Sequence, residues 1–190
     1  MSFGSAVVLP FCHLSFVLLI DFFEFLLEGT MAGGAADCSF WIRKIASEAA
    51  FFEAQEGRRM STTRASRILA QYLYQNRGAG LSVGTMVMGY DGDSDIPRIF
   101  YVDDKGSRIE GDMFSVGSGS TFAVSILDRV KDRFSLSTEE AIKLAVQAIR
   151  HATFRDGSSG GFINVYHCTP GGEWKRVFRE DVASLKVEKS

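Results

Sequence analysis

The hydrophobic positions of this chain change period several times, and one stretch near the start has no polar face at all. From Ala6 to Leu27, "AVVLPFCHLSFVLLIDFFEFLL" is apolar except at Pro10, His13, Ser15, Asp21 and Glu24. The small-residue run "GTMAGGAADC" follows. Trp41, Ile45, Ala49 and Phe52 then recur at helical spacing, which predicts a helix from about Ala35 to Glu56, ended by Gly57. Ser61 is placed to cap a second helix, about Thr62 to Asn76, with Ile68, Leu69, Tyr72 and Leu73 inward and "GAG" (Gly78 to Gly80) closing it.

The middle of the chain reads as strands. "LSVGTMVMGYD" (Leu81 to Asp91), "RIFYVD" (Arg98 to Asp103), the turn "DKG", then "SRIEG" and "MFSVG" suggest an antiparallel meander. "GSGS" (Gly117 to Ser120) opens a helix expected to run to about Asp132. Ser137 with Glu140 three residues on has the capping-box pattern and starts another helix, with Ile142, Val146, Ile149 and Thr153 on its inner face. "GFINVYHC" and "EWKRVFR" pair as strands across "TPGG". Helix pair, strands, helix pair, strands: the class is α+β, with helices covering packed antiparallel sheets.

At 190 residues and 46% hydrophobic, the chain suits one domain with a sizeable core. The net charge of −2 gives no basis for nucleic acid as a partner. Cys12, Cys38 and Cys168 are widely spaced and odd in number, which fits reduced thiols better than a disulfide framework. The apolar start is long enough to span a bilayer, yet no Lys or Arg precedes Arg43, so neither a signal peptide nor an oriented anchor is the expected reading.

Candidate chemistry is sparse. His151 and His167 lack a partner in spacing. Cys12, His13, Cys38, His167 and Cys168 have no metal-ligand spacing, so no metal and no cofactor is expected. "GSGS" lacks the Lys of a phosphate loop and reads equally well as a tight turn. Met86 and Met88 read as core. "RDGSSGG" is different: Asp156 three residues before Ser159, where a helix meets a strand, can set a carboxylate beside a hydroxyl. Such a pair would orient another nucleophile rather than attack by itself. An ordinary Asx-type turn accounts for the same residues.

Taken together, "GTMAGGAADCSFW", "YQNRGAGLSVGTMVMGYD", "FYVDDKGSRIEGDMFSVGSGS" and "RDGSSGGFINVYH" resemble a proteasome core-particle beta subunit, most closely the chymotrypsin-like beta type 5, over about Gly29 to Leu185. The resemblance implies a four-layer αββα sandwich, the N-terminal-nucleophile hydrolase fold. It also implies a threonine endopeptidase of the 20S core acting in ubiquitin-dependent protein degradation. Partners would be other alpha and beta subunits in stacked heptameric rings, substrates unfolded polypeptides, and the location cytoplasm and nucleus. The family's nucleophile is a threonine exposed at the mature N-terminus, whose α-amino group takes part in proton transfer. Asp156 and Ser159 match the residues that position that terminus, and Ser118 matches the serine joining their network. Gly33 matches the glycine whose N–H polarises the scissile carbonyl, and Met31 and Ala35 match residues shaping an apolar specificity pocket.

Residues 1–28 depart from the pattern: where the family has its threonine, an aspartate and a lysine, this stretch contains neither threonine nor lysine. Thr30 lies inside the "GTMAGG" motif, well past the nucleophile's place. The expectation is therefore a family domain over 29–190 behind an atypical hydrophobic segment over 1–28, an upstream sequence translated in place of the true first exon. The chain would lack the fold's first strands and would be inactive as it stands. A non-catalytic structural subunit is the alternative, and a membrane-linked variant the third reading.

Overall fold

In the computed structural model the backbone is described for residues 2–3, 6–11, 15–19, 28–91, 97–130, 132, 135–169 and 174–182, with side chains from Ala32 onward. The strands are β1 (Ser2–Phe3), β2 (Ala6–Phe11), β3 (Ser15–Leu19), β4 (Glu28–Gly34), β5 (Val83–Tyr90), β6 (Pro97–Asp103), β7 (Arg108–Glu110), β8 (Phe114–Val116), β9 (Phe162–Cys168) and β10 (Trp174–Asp181). The helices are α1 (Ala35–Glu56), α2 (Thr62–Gln75), α3 (Ser120–Leu127) and α4 (Thr138–Arg155). Among the described residues two five-stranded sheets form, in the orders β1-β4-β5-β6-β7 and β10-β9-β3-β2-β8.

Strand alternation sorts the side chains into three packed zones. On β5, Val83 and Val87 join Cys38, Trp41, Ile45 and Phe52 of α1 and Ala65, Leu69 and Leu73 of α2. The opposite face sends Met86 and Met88 toward the other sheet, where they meet Ile99 and Cys168, with Tyr166 and Trp174 packed alongside. Ile163 and Val165 of β9 face α3 and α4. Helix pair, sheet, sheet, helix pair is the αββα sandwich, and both faces of β5 are covered, so its first six residues are all buried, Thr85 among them. Met86 and Met88 are core, as their sequence setting suggests.

The structure corrects the expectation that the first strands are missing. β2 pairs with β8 and with β3, and β3 pairs with β9, so residues from the hydrophobic start fill the middle of the second sheet. The physical reason is the composition of that stretch: a long apolar run between two covered faces can form strands buried on both sides. Among the described residues no helix is long and apolar enough to cross a membrane.

Two helices differ in detail from their predicted form. α3 ends at Leu127: Asp128 still bonds the Val124 carbonyl, but Arg129 and Val130 close with tighter i→i−3 bonds rather than continuing toward Asp132. α4 buries Ala141, Ala145, Ala148 and Ala152 as well as Leu144, Val146 and Ile149, while Ile142 and Thr153 are only half-buried. The alanines widen the inner face, which keeps Val146 and Ile149 and has Ile142 packed at its edge. The capping box at its start is complete, with Ser137 and Glu140 each bonding the other's backbone N–H.

Candidate functional site

The loop after α4 gathers one carboxylate and two hydroxyls. Asp156 is the C-cap residue of α4, held by its N–H to the Ala152 carbonyl at 2.8 Å. Its own extended backbone, φ −109° and ψ 114°, turns the chain out of the helix, and its side chain reaches Ser118 in the loop after β8. Ser118 and Ser159 both donate their hydroxyls to the same oxygen, Asp156 Oδ2, each at 2.6 Å. The Ser158 N–H reaches Oδ1 at 3.3 Å, and the Ser159 N–H closes the turn on the Asp156 carbonyl at 3.1 Å. The Ser118 hydroxyl bond, then that of Ser159, hold the Asp156 carboxyl below the usual carboxylate range. It is an anion at neutral pH. Both hydroxyls donate their protons to it, so toward other groups their oxygens act as acceptors beside a negative charge. Such a cluster suits a cationic N–H donor.

A second element lies at the junction of β4 and α1. Gly33 has φ of +122°, and a Cβ there would lie 2.3 Å from the Ser82 carbonyl oxygen, so only glycine fits. Gly34 donates its N–H to that same carbonyl at 2.8 Å. Asp37, in the first turn of α1, accepts the Ser82 N–H at 3.1 Å and so fixes the residue before β5 that holds Gly34. Ala35 is the first residue of α1, half-buried beside this corner. β1 pairs with β4 here, Phe3 opposite Gly33 and Ser2 opposite Gly34, so this edge of the sheet holds an extended backbone in antiparallel register. Met31 lies on β4 opposite Thr85, but its side chain lies outside the described residues.

The two elements are linked through the sheets. Ala32, next to Gly33, is opposite Gly84, whose Cβ position lies 2.9 Å from a Val116 methyl, and Val116 is two residues from Ser118. Val116 also pairs with Ala6, the first residue of β2. The start of β2 thus lies beside the strand leading to Ser118.

Asp156, Ser159 and Ser118 are brought together, and Gly33 and Ala35 share one corner. The histidines do not join them. His151 packs edge-on against the Phe122 ring at 6.4 Å, and His167 sits on β9, where burial pushes its pKa down. Cys38 is buried under the β4 corner, its Sγ 3.5 Å from the Ala32 carbonyl, and burial pushes its thiol up to about 11. Among the described residues no group of three or more His, Cys, Asp or Glu side chains could hold a metal ion. Sequence reasoning missed Ser82 and Asp37. Nothing local marks them, because their role depends on a contact spanning 45 residues.

The family pattern described as "Proteasome subunit" matches residues 28–168. A "Proteasome subunit beta type-5" of Spinacia oleracea is 49% identical over 160 residues, covering 84% of this chain and 57% of its own length. The "Proteasome subunit beta type-5" of Gallus gallus is 48% identical over 159 residues, with 84% and 60% covered. A "Proteasome subunit beta type-8" of Homo sapiens is 44% identical over 159 residues, with 84% and 56% covered. The chain therefore spans a little over half the length of these relatives.

Proposed function

This chain belongs to the proteasome subunit family, and we propose that it fills a beta type-5 position in the 20S core. Its neighbours there are other alpha and beta subunits, its substrates unfolded polypeptides, and its location the cytoplasm and nucleus. The reaction of that position is hydrolysis of a peptide bond after a large apolar residue by an N-terminal threonine. The observation that carries this reading is the pair of 2.6 Å bonds from Ser118 and Ser159 to one oxygen of Asp156. The cluster accepts hydrogen bonds from a free α-amino group, keeping that amine oriented to receive the proton of the attacking hydroxyl. Gly33 offers a backbone N–H to the carbonyl oxygen as negative charge develops there. The edge of β4 at Gly33 and Gly34 carries β1, and a substrate backbone enters there by taking the place of that two-residue strand.

Residues 1–28 contain no threonine and no lysine, so this chain holds the positioning half of the site without the family's nucleophile. The 190-residue chain is expected to show no turnover of peptides with a large apolar residue before the scissile bond. A purified preparation assayed with and without a threonine-directed inhibitor decides it. Inhibitor-sensitive turnover would overturn the inactive reading and direct attention to the serine hydroxyls preceding β2, at Ser2 and Ser5. The second reading, a structural subunit without cleavage, is favoured by Ala6 standing opposite Val116, next to the Ser118 loop, where it offers no hydroxyl.

A further inference from the structure

Gly34 gives α1 no side-chain cap, and Asp37, in the first turn, stands where an acidic side chain commonly bonds its own helix start. Its Oδ2 is used elsewhere: it accepts the N–H of Ser82 at 3.1 Å, 45 residues along the chain. The carbonyl of the same Ser82 accepts the Gly34 N–H at 2.8 Å. Ser82 is thus held at both of its backbone polar groups, by the helix on one side and the strand end on the other. A Cβ on Gly34 would lie 3.3 Å from Asp37 Oδ2, so the side chain stands directly against the backbone it secures.

Two peptide planes meet at Gly33. The plane after it is set by the bond from Gly34 to Ser82. The plane before it carries the Ala32 carbonyl, which faces Cys38 Sγ at 3.5 Å. A trans peptide unit directs its N–H opposite to its carbonyl. The Gly33 N–H therefore points away from Cys38 and the core beneath α1, toward the strand edge where β1 pairs. Ser82 itself is exposed, at the end of the loop that leads into β5. Without its bond to Asp37, that residue moves with the loop, and the backbone around Gly33 moves with it.

We propose that Asp37 is a positioning residue for peptide-bond hydrolysis, holding the backbone around Gly33 through Ser82 so that the Gly33 N–H meets the carbonyl oxygen as negative charge develops there. The proposal rests on the beta type-5 reading given above. α1 is anchored separately, by Trp41, Ile45 and Phe52 in the core below it. Ala35 keeps its place when Asp37 is changed, so the effect falls on the transition state rather than on substrate binding.

The 190-residue chain supplies the first test. By NMR, exchange of the Gly34 amide is expected to be at least about tenfold faster in Asp37→Ala than in wild type, with the amides of Leu69 and Leu73 in α2 unchanged. Equal Gly34 exchange overturns the inference. The second test uses a chain given the family's threonine segment before Gly29 and assembled with the other core subunits, its active sites counted with a covalent threonine-directed inhibitor. Asp37→Ala is expected to lower kcat per site about tenfold while KM stays within about twofold. A peptide aldehyde, whose C=O takes up the threonine hydroxyl to leave an oxygen at the Gly33 N–H, is expected to bind that variant about tenfold more weakly. Asp37→Asn, whose amide oxygen still accepts the Ser82 N–H, retains most of both. A merely structural loss reduces the count of titratable sites and leaves kcat per site at the wild-type value. That result, a KM rise at constant kcat, Asp37→Asn as slow as Asp37→Ala, or Asp37→Ala missing from particles overturns the inference alone. Particles with Asp37 in place that never turn over overturn the beta type-5 reading and this inference together.

Discussion

Asp156 is the residue on which the proposed chemistry turns, because two hydroxyls and a backbone N–H converge on one carboxylate. In a chain given the family's threonine segment before Gly29, Asp156→Asn is expected to lower kcat at least about tenfold, roughly 1.4 kcal/mol in the barrier. The amide can accept both hydroxyl bonds but carries no charge to attract the amine. Unchanged kcat in that variant, measured in assembled particles, would reduce Asp156 to a turn residue. Because its folded pKa is depressed, the network is intact at neutral pH and above the ordinary aspartate value. It is lost only as pH falls through the depressed value, so no titration of Asp156 is expected in an activity profile between pH 6 and 8. Gly33→Ala tests the other corner: its Cβ meets a backbone oxygen at 2.3 Å in a conformation alanine avoids, at a cost of about 2 kcal/mol. A urea midpoint equal to wild type would show that β4 shifts freely at that point. The sequence made Asp156 and Ser159 visible together, three residues apart. Ser118 is 38 residues away from Asp156, and only the resemblance to a known family linked them.

At the level of elements, local signals were read well wherever the local chemistry decides the outcome. The Ser137–Glu140 capping box satisfies two of the N–H groups that a helix start leaves open, and it needs no tertiary partner. Ser137→Ala is expected to cost about 1 kcal/mol in a chemical-denaturation midpoint while leaving the geometry at Asp156, at the far end of α4, unchanged. A loss of activity in the repaired chain out of proportion to that destabilisation would mean the two ends of α4 are coupled. Of the four positions expected on the inner face of α4, Val146 and Ile149 are buried, Ile142 packs at the edge of the same core, and Thr153 is half-buried. The alanines at 141, 145, 148 and 152 are each fully buried, and they set how near the helix lies to β9. Their side chains carry too little apolar weight to show in a periodicity count. α3 is shorter than its pattern predicts for a related reason: the run of residues past Leu127 keeps helical character, and only the tightened bonds of Arg129 and Val130 end it.

For the whole molecule, the second sheet is where sequence and structure diverge most. Its order, β10-β9-β3-β2-β8, places two strands from the first 19 residues between β9 and β8. A hydrophobic run without polar alternation looked like a segment foreign to the domain. In an αββα sandwich, a strand at the centre of a sheet has helices on one face and the other sheet on the opposite face, so it shows no alternation. In β2 and β3 the missing alternation is what strands at the centre of a sheet show. Removing residues 1–28 should therefore do more than delete a tail. It would leave β9 with an unpaired edge and β8 with no partner in its sheet, and it would open the core shared by Ile163, Val165 and α4 to water. Exposed edges of this kind template pairing between chains. A chain beginning at Gly29 is expected to elute as aggregate in size-exclusion chromatography and to lose a cooperative urea transition, while the 190-residue chain retains both a monomeric peak and the transition. A monomeric, cooperatively unfolding truncation would show that β4 to β10 close their own core and that β2 and β3 are dispensable to it.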